Sequence, residues 1–289
     1  MILYQTLLQP FVDYGFMRRA ITGCAALAIG GAPLGVFLVL RRMTLIGDAI
    51  SHAILPGASI AFLCFGLSIP AMTIGGLIAG LIIALIAGSL TKFTQLKEDA
   101  SFTSTYLLSL TAGVLIISLK GNTTDLMHVL FGNVLAIDNT SLLLISSITT
   151  LSILTLAAIY RGLIVECFDT DFMRAQNSGS WLHQIFLILV VLNLVAAFQA
   201  LGTLMSLGVM VLPAIAARFW TNNIDTTIVF SIIASFAASF TGLLLSYHYS
   251  LPSGPAIVLT ASIIYIGSVG FGRHGSLMTH FFPKRHFTS

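Results

Sequence analysis

The sequence is poor in charge. Only 8% of its 289 residues are Asp, Glu, Lys or Arg, while 57% are hydrophobic. Soluble domains carry about 25% charged residues. A soluble core is therefore excluded, and residues 1–289 read as a single transmembrane domain in a lipid bilayer. The net charge of +3 is too small to imply a nucleic-acid partner. Cysteine is sparse too: Cys24 and Cys64 lie in apolar runs and Cys167 in a polar loop. Three scattered thiols without C-x-x-C give neither a disulfide framework nor a zinc ribbon. The opening MILYQTLLQPFVDYGFMRR lacks the basic start and apolar run of a cleaved signal peptide. No P-loop is present. Its lysine must follow a glycine to reach the phosphates, and Lys92, Lys97, Lys120 and Lys284 all follow other residues. Any use of ATP then needs a separate ATPase. H-E-x-x-H and G-x-S-x-G are also missing, so neither a zinc protease nor a nucleophile elbow is supported.

What the chain has is apolar runs. Nine transmembrane helices are expected, over about Ala20–Leu40, Leu45–Gly66, Ala71–Leu90, Phe102–Leu119, Ser141–Tyr160, Leu182–Ala200, Thr203–Trp220, Thr227–His248 and Ala256–Phe271. The fold class is thus an all-α polytopic membrane protein. Residues 1–19 form an N-terminal extracytoplasmic segment, with room for a short interfacial helix. Gly31-x-x-x-Gly35 and Gly76-x-x-x-Gly80 would let helices pack closely, or reflect the ordinary glycine content of membrane helices. Pro213 should kink its span. With nine crossings, one side collects Arg41, Arg42, Lys92, Lys97, Arg161, Arg174, Arg218, Arg273, Lys284 and Arg285, and the other only Arg18, Arg19 and Lys120. Positive charge marks the cytoplasmic side. The N-terminus is then outside and the tail 273–289 inside. A re-entrant Gln199–Leu207 would alter that count.

The run Leu45–Gly66 carries Asp48 and His52, four residues apart and therefore on one helical face. Ionisable groups inside a span are costly and usually face a protein interior or a water-filled path. A carboxylate and an imidazole on one face can share a divalent cation. A buried Asp–His hydrogen bond that only joins helices is the plainer alternative. Among the remaining histidines, His128 lies three residues from Asp125 in an external loop over 120–138. His183 adjoins Trp181 at an interface, and His274, His280 and His286 are scattered through the tail. In the loop Cys167–Gly179, Asp169 or Thr170 can cap a helix that ends at Gly179. Such a helix would present Phe168, Phe172 and Met173 beside Asp171 and Arg174, as a docking knob or as a plain connector.

The run FMRRAITGCAALAIGGAPLGVFLVLRRMTLIGDAISHAILPGASIAFL at 16–63 resembles the beginning of zinc/manganese ABC-importer permeases. The resemblance continues through HVLFGNVLAID at 128–138, the loop at 167–179, QALGTLMSLGVMVLPAIAARFW at 199–220 and LSYHYSLPSGPAIVL at 245–259. It implies a fold similar to cobalamin and siderophore importer permeases minus one N-terminal helix, in the bacterial cytoplasmic (inner) membrane. It also implies a homodimer, two cytoplasmic ABC ATPase subunits that hold the ATP, and an extracytoplasmic metal-binding protein. Asp48 and His52 match the family's metal path. Phe168, Asp169, Asp171, Phe172, Ala175 and Gly179 match its ATPase-coupling segment. Relatives place an aspartate where Ser250 stands here, so His248 is a candidate replacement ligand, or else an interfacial histidine at a helix end. The resulting expectation is a transport permease, not an enzyme, with no cofactor in this chain and zinc favoured over manganese as cargo. A proton-coupled secondary transporter and an intramembrane enzyme are the alternatives from other classes.

Overall fold

The computed structural model describes residues 7–66, 68–118, 134–168 and 179–281. Among them every regular element is helical: α1 (Gln9–Asp13), α2 (Gly15–Leu40), α3 (Thr44–Phe65), α4 (Ile69–Phe93), α5 (Glu98–Ser118), α6 (Asn139–Phe168), α7 (Gly179–Leu201), α8 (Thr203–Arg218), α9 (Ile224–Tyr249), α10 (Ser253–Phe271) and α11 (Leu277–Phe281), with a 3₁₀ turn at Val134–Ala136 before α6. An apolar solvent leaves the backbone no partner but itself, which is why such a sequence becomes helices.

Each expected span coincides with a helix. Among the described residues, seven helices are long and apolar enough to cross a membrane, against the nine crossings expected. At 16 residues, α8 is about 24 Å long against a hydrocarbon core of about 30 Å. The described part of α5 ends at Ser118, and its start carries Glu98 and Asp99. Gly202, at φ 80°, separates α7 from α8, so the chain turns there. The helix of α8 is unbroken through Pro213, and α2 and α3 likewise enclose Pro33 and Pro56.

The bundle is wound around α2, most of whose residues are buried. Side-chain neighbours fix the register. Asn193 of α7 stands beside Gly30, and Phe186 meets Phe37 edge-on at 6.4 Å, so α7 runs antiparallel to α2. Gly35 lies against the Met210 carbonyl of α8, where no side chain would fit. Gly57 and Gly75 bring α3 and α4 into backbone contact, and Gly76 and Gly80 receive Ile54. Both spaced glycine pairs thus serve packing within this chain. A buried amide adds a polar tie: Asn193 donates to Ser152 Oγ at 2.7 Å and to the Leu189 carbonyl at 2.9 Å.

The end of α2 is a tight turn. The Met43 amide donates to the Leu38 carbonyl (2.8 Å) and the Arg42 amide to the Val39 carbonyl (3.2 Å). This is a Schellman motif, with Arg42 rather than glycine in the left-handed position at φ 57°. Leu38 and Met43 close it as buried apolar partners. At the other end of α2, Tyr14 packs on Tyr247 at 5.7 Å. The two ends, here the Arg41 end and the Tyr14 end, are about 39 Å apart.

Candidate metal path

Helix α3 starts directly after the Schellman turn. Its small residues Gly47, Ala49, Ala53, Gly57 and Ala58 are buried against neighbours. Leu45 and Asp48 are exposed and His52 is half-buried, so the stripe 45–48–52 is the face of α3 that this chain leaves uncovered. Asp48 Oδ1 and His52 Nε2 are 3.7 Å apart, with the Asp48 side chain 52% exposed and that of His52 24%. The gap is too wide for a hydrogen bond. A cation bound about 2.0–2.2 Å from each donor would need them about 3.0–3.5 Å apart, a few tenths of an ångström closer. The imidazole is steadied from behind by Tyr106 of α5, stacked at 5.9 Å with 25° between the rings. Among the described residues no three His, Cys, Asp or Glu converge. The pair therefore supplies at most half of a four-ligand shell.

Register places the pair in depth. Asp48 and His52 lie about 6 and 12 Å along α3 from Thr44. A side chain on neighbouring Gly47 would meet Leu38 of α2 and Leu207 of α8. From the Arg41 end of α2 the chain reverses through the Schellman turn, and α3 runs back into the bundle. Asp48 stands nearer the Arg41 end than the middle, and His52 one turn deeper.

Other sequence candidates fall elsewhere. His248 lies in the last turn of α9 and packs edge-on against Tyr247 at 5.3 Å. It belongs to the Tyr14 end, and the structure does not bring it to Asp48. Ser250 caps α9 in the left-handed conformation, φ 53°. Asp169, Asp171, Phe172 and Ala175 lie outside the described residues, as do Asp125, His128 and His286. Phe168 is the last residue of α6 and 76% exposed, and Gly179 begins α7 instead of ending a helix. His274 pairs with Asn222 at 3.3 Å, which ties the chain after α10 to the α8–α9 turn.

One constellation went unforeseen. Cys167 is not in a loop, because α6 continues to Phe168. That extension buries Glu166, whose carboxylate pairs with Arg41. The guanidinium also lies over the Phe186 ring, 4.9 Å from its centroid. The sequence carries a signal for this: Tyr160, Leu163, Ile164, Cys167 and Phe168 keep helical spacing past the expected end at about Tyr160.

Comparison with known proteins agrees with this architecture. The model of the ABC 3 transport family matches residues 13–272. The manganese import system permease protein ScaB of Streptococcus gordonii is 31% identical over 268 residues, covering 92% of this chain and 95% of ScaB. The manganese transport system membrane protein MntC of Listeria innocua is 32% identical over 259 residues, covering 89% and 91%. Among solved structures, PsaBC from Streptococcus pneumoniae in complex with Fab aligns with a TM-score of 0.83 at 28% identity, over 97% of this chain and 100% of that one. The expected preference for zinc gains no support, since both relatives are named for manganese. The relatives are permease subunits, so this chain is a transport permease and not an enzyme, and ATP hydrolysis belongs to a separate subunit. With a helical membrane body, no P-loop and a family match over most of its length, the chain belongs to the ABC 3 transport family, as the permease of a metal ABC importer.

Proposed function

We propose that two copies of this chain form the membrane pore of an ATP-driven manganese importer, with Asp48 and His52 of each copy lining the cation path between them. The observation that carries this is the uncovered stripe of α3. A membrane helix does not present a half-exposed carboxylate to lipid, so a second copy or a water-filled path must face it. Two copies would supply two carboxylates and two imidazoles, a transient and mixed donor set. A conducting site must also release its ion, which suits partial ligation. The names of the relatives favour manganese over zinc.

The remaining parts follow the same reading. Nine crossings, counting α5 and α8 where neighbouring helices shelter them, put the Arg41 end in the cytoplasm and the N-terminus outside. The membrane is then the bacterial inner membrane. An extracytoplasmic binding protein delivers the ion at the Tyr14 end, where His248 serves as an entry ligand. Two ATPases dock on the segment that includes Phe168, Asp169, Asp171, Phe172, Ala175 and Gly179, and ATP binding and hydrolysis there switch access.

The test is ATP-driven uptake of radiolabelled manganese by vesicles holding the whole complex, with unlabelled zinc and iron as competitors. Asp48→Ala and His52→Ala should each lower uptake at least tenfold, since even losing a group that only supports a metal ligand typically costs about 10–100-fold. Uptake indifferent to both substitutions sinks the path assignment. His248→Ala should raise KM with little change at saturation; an unchanged KM removes His248 from the route. Uptake that survives loss of the ATPase and collapses with the proton gradient would instead favour a secondary transporter.

A further inference from the structure

We propose that the buried Arg41–Glu166 ion pair is the strap by which movement of the ATPase-docking segment reaches the cation-bearing helix α3. The proposal rests on the transport reading above and names residues that reading does not use.

Both side chains are more than nine-tenths buried, Arg41 at 6% and Glu166 at 9% exposure. Two buried charges must repay a large desolvation cost, and an apolar pair of similar size would often be as stable or more so. Their presence therefore calls for a role besides stability. Their positions suggest one. Glu166 sits in the last turn of α6, three residues before the segment 169–178. Arg41 is the residue that caps α2. Cys167, the neighbour of Glu166, also lies against the guanidinium. Phe186 of α7 lies beneath the Arg41 guanidinium, 4.9 Å from the ring centroid, and supports it from that side.

From Arg41 the connection to the cation pair is short and stiff. The Schellman bonds of Arg42 and Met43 lock the turn. Met43 in turn accepts from the amides of Ile46 (3.1 Å) and Gly47 (3.2 Å), which makes the turn continuous with the first turn of α3. Asp48 is the next residue. A displacement of the end of α6 therefore draws on Arg41, tilts the start of α3, and changes the 3.7 Å separation of Asp48 and His52. Tyr106, stacked on His52 from α5, resists that shift at the imidazole. The carboxylate thus moves relative to a held ring. Arg41 and Glu166 are positioning residues and do not touch the ion.

The experiment uses the complete complex in lipid vesicles and measures manganese uptake and ATP hydrolysis in one sample. The variants are Arg41→Gln, Glu166→Gln and the double-neutral Arg41→Gln/Glu166→Gln. The last buries no lone charge, so it separates coupling from folding. The expected result is an assembled complex that hydrolyses ATP within about threefold of the unmodified rate while manganese moved per ATP falls at least tenfold, in the double variant as in the singles. Wild-type metal-to-ATP stoichiometry in the double variant overturns the proposal. So does a parallel fall of uptake and hydrolysis, or failure of the double variant to assemble, because each makes the pair structural or inert. Loss of ATP-driven manganese uptake in the unmodified complex would instead overturn the transport reading itself.

Discussion

At the residue scale, the proposed cation path rests on one carboxylate and one imidazole at helical spacing. Their donor types give a handle on selectivity. Imidazole suits zinc, copper and iron, whereas carboxylate suits manganese. His52→Asp should therefore bias the path away from zinc while keeping manganese transport measurable. In the competition assay, the zinc concentration that halves manganese uptake should rise at least several-fold. A zinc sensitivity that stays put would mean selection occurs before the ion reaches α3. That Asp48 and His52 share a face was legible, because four residues make slightly more than one turn of any α-helix. The Tyr106 stack was not, since it joins residues 54 positions apart on different helices. The Arg41–Glu166 pair was equally hidden. Adjacent arginines at the end of an apolar run read as a membrane-surface signal, and nothing in one sequence says that the first of them turns inward to a carboxylate.

At the level of elements, apolar runs located the helices well because lipid permits few alternatives. The run Leu45–Gly66 became Thr44–Phe65, and Ala256–Phe271 became Ser253–Phe271. The boundary that differs is the end of α6, which the sequence reading sets at about Tyr160. In the structure the helix carries on for eight residues to Phe168, with Leu163 and Glu166 buried. The turn from α2 to α3 offers a test. Arg42 holds a left-handed conformation that costs a side-chain-bearing residue about 1 kcal/mol relative to glycine. Arg42→Gly should therefore stabilise the purified protein by roughly that amount, seen as a rise in Tm of a few degrees in detergent. A lower Tm would show that the exposed Arg42 side chain contributes more than its backbone costs.

At the scale of the whole molecule, the proposed nine crossings and the asymmetric distribution of arginine and lysine predict an orientation. It can be read directly. In a Cys64→Ser background, Asp13→Cys should react with a membrane-impermeant maleimide added to intact cells. Asn222→Cys, at the exposed α8–α9 turn, should react only after permeabilisation. The reverse pattern would invert the assignment and place the Arg41 end outside. The central position of α2 has a further consequence, one of timing. It leaves the ribosome well before its packing neighbours α7 to α9, which are encoded some 140 to 210 residues later. At roughly 5–20 residues per second, the last of them emerges about 10–40 s after α2 has entered the bilayer. Throughout that interval the glycine-lined grooves at Gly30 and Gly35 face lipid or the insertion machinery. The newborn helix waits for its own sheath, and it is in this window, more than in the finished bundle, that the nascent chain is exposed to quality-control proteases.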